Sequence, residues 1–317
     1  MSIGFPIPSK EHESRRALLP SDLAVIERPQ DLVFERGYGD ILGITDERYT
    51  RTGARTGSRT EVLACASIVD PKVGDADYLG SLAPGTTIFG WVHAAENPEV
   101  ADALTKGGLT AYAWEHLYED GRHVFWRNNQ LAGEAAVLHA FLCQGRMPQG
   151  QRVAVIGRGD TALGAIGVLE GLSANVTVYQ RRTEALLRKE LPSFDVVVNC
   201  VMWDLTRTDH ILSRDDVARM RPGSLIIDVS CDEAGAIETS HPTTIGHPTY
   251  TVEGVLHYAV DHTPSLVYGT ASEAISAAVA RYVNELSRGR HSKALEGGLI
   301  VRDGVPVRRR TPRSAGN

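Results

Sequence analysis

The sequence has few cysteines and no long apolar run. Its 317 residues include only four cysteines, Cys65, Cys143, Cys200 and Cys231, and none of these has the spacing of a metal-binding or redox pair. We therefore expect buried free thiols in a reducing compartment, with neither a metal site nor a disulfide. No apolar run approaches the ~18 residues of a membrane span, and no basic segment followed by an apolar one marks a secretory signal. These absences predict a cytoplasmic protein without a membrane segment.

An excess of positive charge is also missing. The formal net charge is −6, which gives no reason to expect nucleic acid as a partner. Hydrophobic residues make up 42% and charged residues 23% of the chain, as in soluble globular proteins, and the length corresponds to about two domains of roughly 150 residues. The basic stretch 308–317 has no periodicity, so we expect a frayed tail, with phosphate binding as the alternative.

Short apolar runs alternate with helical patterns through the first part of the chain. Helices are predicted at Ser21–Arg28, Ser58–Cys65 and Asn97–Lys106, the last with Asn97 as its capping residue and proline directly after it. This alternation indicates an α/β domain with a mainly parallel sheet. The predicted strands are Ile3–Ile7, Asp31–Glu35, Ala66–Val69, Thr86–Val92 and Leu109–Trp114.

A second alternating set begins near residue 129, after which a helix is predicted at Leu131–Cys143. Its strands are nearly continuous apolar runs, which is typical of strands that are covered on both faces. They are Arg152–Ile156, Asn175–Tyr179, Phe194–Val201 and Ser224–Val229. A long helix, Thr270–Leu286, follows. A hairpin of Gly298–Arg302 and Val305–Arg309 then turns at Asp303–Gly304, a dipeptide that favours tight turns. We therefore expect a second α/β unit.

A glycine turn follows the first strand of this second set. Gly157, Gly159 and Ala162 form the pattern G-x-G-x-x-A between an apolar strand and a helical stretch. The first glycine permits the tight turn, the second lets the backbone approach a pyrophosphate, and the small third residue lets helix and strand pack closely. The helix amides then face the phosphates. This context predicts a Rossmann-type dinucleotide site.

The strand after the glycine turn ends in basic residues, where NAD-binding sites carry an acid that accepts hydrogen bonds from a ribose. Gln180, Arg181 and Arg182 occupy this position. Guanidinium groups suit a phosphate dianion, so NADP(H) is the predicted cofactor. The alternative interpretation is that one or both arginines are ordinary surface charges at a strand end.

Polar side chains follow several predicted strands of the first part. Arg15 comes after the first strand, Lys72 after the third and His93 after the fourth. Ligands of parallel α/β sheets bind beyond the carboxyl ends of the strands, so these residues can converge on one site. Asp232 follows a strand of the second set, and a cleft between the two domains would gather all four. Each alone has a plainer interpretation as a solvated loop charge, a cap or a packing residue, and Asp228 as a buried acceptor for loop amides.

Several longer segments resemble the alanine dehydrogenase family, which includes a pyridine nucleotide transhydrogenase subunit and the lysine-forming saccharopine dehydrogenases. The resemblance spans nearly the whole chain. It is strongest to family members that join an oxo acid to the side-chain amine of ornithine with NADPH. The segments are ESRRALLPSDL, FGWVHAAENPEV, LAGEAAV, VNCVMWDLTRTDH, DVSCDEAGAIETSHPTT and GVLHYAVDHTP.

The resemblance implies two Rossmann-like domains with a cleft between them. A substrate and catalytic domain would comprise residues 1–129 and 271–317, and a nucleotide-binding domain residues 130–270. Only about fifteen residues separate the second strand of this domain from the next, so the nucleotide-binding half is expected to be abbreviated. Family members are oligomeric, which implies a dimer or tetramer.

The resemblance also implies site residues and a reaction. Arg15 would bind the substrate carboxylate, and Lys72, His93 and Asp232 would be catalytic. The expected reaction is NADPH-dependent reductive condensation of pyruvate with the side-chain amine of ornithine or lysine through an imine. Arg16, Glu134 and Asp261 are weaker candidates for recognising the other end of the diamine.

Three alternatives stay open at this point. The first is reductive amination of the oxo acid by ammonia, as in an alanine dehydrogenase. The second is condensation of a different amine with a different oxo acid. The third is an NADP-binding protein that has lost catalysis, which the presence of both Lys72 and His93 disfavours.

Overall fold

A computed structural model describes residues 1–204 and 206–307 of the chain. The chain divides into two compact units. The first comprises Met1–Phe125 and the chain from Tyr268 onward, and the second comprises Trp126–Val267. Among the described residues, no helix combines the length and apolar character needed to cross a membrane.

The strands and helices alternate in both units, as the sequence predicts. In chain order the strands are β1 (Ile3–Phe5), β2 (Leu32–Glu35), β3 (Arg55–Gly57), β4 (Ser67–Val69), β5 (Thr87–Gly90), β6 (Thr110–Ala113), β7 (Tyr118–Glu119), β8 (Arg122–His123), β9 (Arg152–Ile156), β10 (Asn175–Tyr179), β11 (Val196–Asn199), β12 (Leu225–Asp228), β13 (Thr249–Val252), β14 (Val255–Tyr258), β15 (Leu299–Arg302) and β16 (Val305–Pro306). The α-helices are α1 (Asp46–Thr50), α2 (Arg59–Leu63), α3 (Pro98–Lys106), α4 (Trp126–Gln144), α5 (Asp160–Gly171), α6 (Glu184–Glu190), α7 (Arg214–Ala218), α8 (Tyr268–Arg288) and α9 (Lys293–Gly298). Single 3₁₀ turns lie at Pro20–Val25, Pro29–Asp31, Asp40–Leu42, Val73–Asp75, Leu79–Ser81, Trp114–His116, Arg181–Thr183, Leu191–Ser193 and Thr263–Val267.

The sheet of the first unit has the order β16-β15-β6-β5-β4-β1-β2-β3. Strands β1 to β6 pair in parallel, and β15 joins β6 in the antiparallel direction. Successive side chains of a strand point to opposite faces. Phe5, Phe34 and Phe89 therefore lie in one apolar cluster with residues of α8, while Val33 and Ile68 lie in another with residues of α2 and α3. Because β1, β4, β5 and β6 run in parallel, their carboxyl ends lie at the same edge of the sheet.

The sheet of the second unit has the order β10-β9-β11-β12-β14-β13, and only β13 is antiparallel to its neighbour. Val153 and Val155 pack against α4 and α5, whereas Ala154 and Ile156 pack against α6 and α7. Between β10 and β11 the chain forms a 3₁₀ turn, α6 and a second 3₁₀ turn, and β10 is an edge strand. Two mainly parallel sheets, each covered by helices, confirm the predicted α/β class.

Three predictions about local structure need correction. Ser21–Arg28 is not an α-helix, because only Pro20–Val25 forms a 3₁₀ turn and proline at position 29 disfavours helical backbone in the residue before it. Helix α4 begins at Trp126, five residues before the predicted start. Cys143 is exposed and Cys200 half-buried, so the expectation of buried thiols holds only for Cys65 and Cys231.

The hairpin prediction is confirmed at β15 and β16, which pair around Asp303 and Gly304. Both turn residues have positive φ, +48° and +75°, as this kind of tight turn requires. The predicted second strand extended to Arg309. Residues 308 and 309, and the predicted basic tail 308–317, lie outside the described residues.

Candidate active site

Arg15 lies in the loop after β1 and forms a buried ion pair with Glu13. Its Nε and Nη2 atoms donate to the two carboxylate oxygens of Glu13 at 2.8 and 2.6 Å. The Arg15 and Glu13 side chains are 3% and 0% exposed. The guanidinium carbon of Arg15 also lies 5.0 Å from the ring centroid of Trp91. Glu13 therefore occupies the Nε and Nη2 atoms of the guanidinium.

Lys72 follows β4 and is held among acidic residues. Its Nζ atom lies 3.0 Å from a carboxylate oxygen of Asp75, and the other oxygen of Asp75 accepts from Lys10 at 2.9 Å. Burial acts to raise the pKa of Glu13, but Arg15 and, to a lesser degree, Lys72 lower it below its ordinary value. Arg15, Lys72 and their acids thus form one charged cluster beyond the neighbouring strands β1 and β4.

Asp70 anchors the backbone beneath Lys72. One of its carboxylate oxygens accepts from the Lys72 backbone N–H at 2.8 Å, and the other accepts from the Tyr78 hydroxyl at 2.7 Å. Burial raises the pKa of Asp70 to about 6. Gly74 then brings this loop against the next one, because a Cβ atom at that position would lie only 2.1 Å from the Val92 carbonyl oxygen.

His93 follows β5 and has a backbone conformation that is uncommon outside glycine, with φ of +50°. Glu115, in the 3₁₀ turn after β6, accepts the His93 N–H at 2.7 Å and the Val92 N–H at 3.2 Å. Burial raises the pKa of Glu115, and the nearby Glu96 adds to the shift. Strands β5 and β6 are paired, which places Glu115 beside the His93 loop. The structure therefore brings the loops of Arg15, Lys72 and His93 to one edge of one sheet.

The weaker candidates from the sequence have other partners. Arg16 is 4% exposed, and its guanidinium donates to the backbone carbonyls of Tyr38, Ser14 and Arg15. It therefore holds the loop, and these contacts do not support a substrate contact. Glu134 pairs with Arg127 at 2.5 and 3.2 Å. Asp261 lies 2.5 Å from a ring nitrogen of His262, the neighbouring residue.

The glycine turn of the second unit has the geometry of a phosphate-binding loop. Gly157 follows β9 with φ of +116°, and a Cβ atom there would lie 3.2 Å from the Cys200 carbonyl oxygen. Gly159 is the residue before α5, and a Cβ atom there would have no neighbour within 4 Å. Ala162, in the first turn of α5, is fully buried in the core. Open space at Gly159, before a twelve-residue helix, fits the pyrophosphate of a dinucleotide.

The basic residues after β10 differ in their surroundings. Arg181 and Arg182 are exposed and lie in a 3₁₀ turn, at whose start Gln180 donates its N–H to the Thr183 hydroxyl at 2.8 Å. Arg181 lines a small pocket together with Trp203. The described residues that line this pocket do not include Arg182. Only one of the two predicted phosphate ligands therefore borders it.

Arg207 also lines this pocket, and its charge is compensated by two carboxylates. Its guanidinium pairs with Glu184 at 3.0 and 3.1 Å and with Asp209 at 2.8 and 2.9 Å. It also lies 4.6 Å from the ring centroid of Trp203. Asp204 also lines the pocket, and its pKa is lowered first by the Thr206 hydroxyl that donates to it and, to a lesser degree, by Arg181 and Arg207. The pocket thus combines the Trp203 ring and two arginines with the carboxylates of Glu184 and Asp204.

Asp232 lies in the loop after β12 and is half-buried. The loop is shaped by Asp228, which accepts from the Asn199 side chain at 2.9 Å and from the Cys231 N–H at 3.3 Å. Asp228 is therefore the buried acceptor that the sequence predicts, and burial raises its pKa. Asp232 belongs to the same unit and the same sheet edge as the glycine turn, and not to the unit that contains Arg15, Lys72 and His93.

Sequence reasoning missed the acids of this site. Glu13, Asp75 and Glu115 are not among the predicted site residues, although the sequence contains a signal for each. Glu13 and Asp75 lie two or three residues from a predicted cation, and Glu115 follows the predicted strand that ends at Trp114. The rule that selected Lys72 and His93, a polar residue after a parallel strand, also selects Glu115.

Comparison with known proteins places the chain in a family. Residues 4–126 match the model described as "Alanine dehydrogenase/PNT, N-terminal domain", and residues 180–311 match the corresponding C-terminal domain. An N(5)-(carboxyethyl)ornithine synthase of Clostridium botulinum is 30% identical over 95% of this chain and 97% of its own length. An alanine dehydrogenase of Halomonas elongata is 29% identical over 96% of this chain and 94% of its own length.

A solved structure supports the same conclusion for the fold. An L-alanine dehydrogenase superposes with a TM-score of 0.82 at 24% identity, and 97% of each chain is covered. Members of this family are oxidoreductases that act on CH–NH groups and bind a nicotinamide dinucleotide. The resemblance seen in the sequence is confirmed, and the chain belongs to the alanine dehydrogenase/PNT family.

Proposed function

We propose that this protein catalyses the NADPH-dependent reductive condensation of pyruvate with the side-chain amine of ornithine or lysine. The observation that carries the proposal is the buried cation cluster of Arg15 and Lys72, held by Glu13 and Asp75. Fixed cations at the end of a sheet suit the carboxylate of a small oxo acid. The choice of amine is supported by the relatives named N(5)-(carboxyethyl)ornithine synthase.

Three residues of the first unit have separate roles in the proposed reaction. Arg15 binds the carboxylate of the oxo acid, and Lys72, as an ammonium paired with Asp75, polarises the carbonyl oxygen. The amine attacks the carbonyl carbon, water leaves, and an imine forms. His93 moves the protons of these steps, since an imidazole exchanges protons near neutral pH. The product is a secondary amine that carries a carboxyethyl group.

The second unit provides the residues for the cofactor. When bound, a nicotinamide dinucleotide supplies the hydride that reduces the imine. Gly157 and Gly159 receive the pyrophosphate, and Ala162 lets α5 approach the sheet. Gln180, Arg181 and Arg182 select the 2′-phosphate of NADP(H).

Three further assignments belong to the same proposal. Asp232 lies at the sheet edge of the glycine turn and is assigned to the nicotinamide ribose. Residues 1–129 with 271–317 form the substrate domain and residues 130–270 the nucleotide domain. The homo-oligomeric state and the cytoplasmic location stay predictions.

The test is an amine and oxo acid screen with the purified protein. NADPH oxidation is followed with pyruvate plus ornithine, lysine or ammonia, and the products are weighed by mass spectrometry. We expect oxidation that requires both pyruvate and a diamine, and a product with the mass of the amine plus one carboxyethyl group. No oxidation with any pair would overturn the proposal.

A second candidate is reductive amination of the oxo acid by ammonia. The alanine dehydrogenase of Halomonas elongata, 29% identical over 96% of this chain, favours it. Oxidation that requires ammonia and yields alanine would establish this candidate instead. Arg15, Lys72 and His93 would keep the same roles, because only the amine differs.

A further inference from the structure

Glu115 makes a two-pronged contact with the backbone at His93. One carboxylate oxygen accepts the His93 N–H at 2.7 Å, and the other accepts the Val92 N–H at 3.2 Å. A carboxylate with two acceptor oxygens matches two successive amides, and charge-assisted bonds of this kind are stronger than neutral ones. Glu115 thus fixes two consecutive peptide groups of the His93 loop.

The backbone at His93 needs such support. Its φ of +50° lies in the left-handed region that non-glycine residues rarely adopt. Beyond His93, its carbonyl oxygen accepts the Asn97 N–H at 3.0 Å. The His93 residue is consequently held on both sides, by Glu115 at its N–H and by the start of α3 at its carbonyl.

The side chain of Glu115 is half-buried at the edge of a pocket. Its carboxylate borders a pocket of about 230 Å³ whose walls are largely apolar, including Ala94, Ile300 and Val301. The titratable groups that line the same pocket are Glu96 and His116. The bond to the Val92 N–H is partly buried, while the bond to the His93 N–H is exposed to solvent, so the contact relies on its two-pronged geometry.

We propose that Glu115 is a positioning residue that holds His93 in its working place. The inference rests on the proposed function, in which His93 moves protons. Glu115 acts through the backbone amides of Val92 and His93, which donate to it at 3.2 and 2.7 Å. Its removal should therefore lower turnover while leaving the binding of the cofactor unchanged.

The experiment compares Glu115→Gln and Glu115→Asp with Glu96→Gln. Glu96 is the matched control, because it is a carboxylate on the same pocket. Amide hydrogen exchange is measured on the peptide that contains Val92 and His93, and kcat and KM are measured with NADPH. In Glu115→Gln we expect faster exchange at these amides and a loss of kcat of about a hundredfold. The KM for NADPH should stay within about twofold of its value in the natural protein. Glu96→Gln should leave the amide exchange, kcat and KM unchanged.

The aspartate variant and a double variant complete the design. Glu115→Asp keeps the charge and should restore part of the turnover that glutamine loses. Added to His93→Asn, Glu115→Gln should cause little further loss of kcat, because the residue that it positions is already gone. A full additional loss, or unchanged kcat in Glu115→Gln, would overturn the inference.

The outcomes separate the inference from the proposed function. If no amine and oxo acid pair is turned over, the proposed function fails, and the exchange comparison still decides whether Glu115 holds the amides. Unchanged exchange in Glu115→Gln would reject that contact. If Glu115→Gln does not fold, Glu115→Asp takes its place in both measurements.

Discussion

The two candidate sites differ in how their cations are held. In the first unit, Arg15 and Lys72 are 3% and 7% exposed and pair with acids of their own loops. In the second unit, Arg181 and Arg182 are exposed at the end of β10. Buried ions persist only with partners, because leaving water is costly. Exposed ions need none, but salt screens their attraction for a ligand.

This difference separates two ways of preparing a site for an anion. The first site is organised before any substrate arrives, so its charges contribute to folding as well as to chemistry. In the second site the backbone turn is formed, but the two arginine side chains lie in solvent. Substitutions in the first site should therefore affect stability and activity together, while those at Arg181 or Arg182 should affect binding alone.

The largest effect is expected from Arg15→Met. The substitution leaves Glu13 as a buried carboxylate without its main partner, which should lower the free energy of unfolding by about 3–5 kcal/mol. Loss of the carboxylate contact should lower kcat/KM by about 10²–10³-fold. Urea unfolding and NADPH oxidation measure the two effects.

The control for Arg15→Met removes both charges. Arg15→Met combined with Glu13→Leu should regain much of the lost stability, because no buried charge is left uncompensated. It should not regain activity. An Arg15→Met variant as stable as the natural protein would break the comparison, since Arg15 would then behave like an exposed cation.

A smaller effect is expected from Arg181→Ala. The KM for NADPH should rise about 10–100-fold, as for the loss of one charged hydrogen bond, and the KM for NADH should stay within about twofold. Added salt should reduce the difference between the natural protein and the variant. The urea midpoint should not change.

Arg182→Ala is the matched control for Arg181, since Arg182 is exposed outside the pocket of Trp203. It should raise the KM for NADPH less than Arg181→Ala does. Equal increases for NADPH and NADH in Arg181→Ala would reject the assignment of this residue to the 2′-phosphate.

A pH effect of about 1–2 kcal/mol is expected from Asp70. Burial raises its pKa to about 6 from 3.8, so the folded protein keeps a proton that the unfolded chain has released. This stabilisation is present at acid pH and is lost as the pH rises through about 6. Relative to the natural protein, Asp70→Asn should therefore be more stable at pH 7.5 than at pH 5. Urea unfolding of both proteins at both pH values measures this change in relative stability. A relative stability of Asp70→Asn that is greater at pH 5 than at pH 7.5 would contradict a raised pKa at Asp70.

The smallest effect is expected from Gly159→Ala. A methyl group there meets no neighbour within 4 Å and the backbone has an ordinary φ of −72°, so stability should not change. The methyl group would enter the proposed space for the pyrophosphate. It should weaken the binding of NADPH and of NADH by the same factor, about fivefold. Gly157→Ala should instead lower the melting temperature, because φ at Gly157 is +116°.

The sequence predicted most of the fold, because the core strands carry strong local signals. The bounds of Arg152–Ile156 and Asn175–Tyr179 agree with the prediction. The first is an almost fully buried apolar run, whereas the second, at the edge of the sheet, is exposed at Asn175 and Thr177, so the expectation of cover on both faces does not hold for it. The helix predicted at Ser21–Arg28 is wrong. The restriction that Pro29 places on Arg28 is a local signal that argues against the helix, whereas the exposure of Val25 is visible only in the folded chain.

The site was less predictable than the fold. Arg15 and Arg16 are neighbours of the same type, and only the structure shows that Arg16 turns inward to the Tyr38 carbonyl. Glu115 and His93 lie twenty-two residues apart and meet because β5 and β6 pair. A single sequence indicates which residues lie at the ends of strands. Which of these residues contact one another depends on which strands pair in the sheet.

The order of the chain also constrains how the molecule is made. Helix α8, which covers the aromatic face of the first sheet, and β15, which extends that sheet beyond β6, both come from the chain after Tyr268. A ribosome delivers them only after the whole second unit has been synthesised. The aromatic face of the first strands therefore stays uncovered until α8 has been synthesised. We infer that the second unit completes its folding before the first unit does.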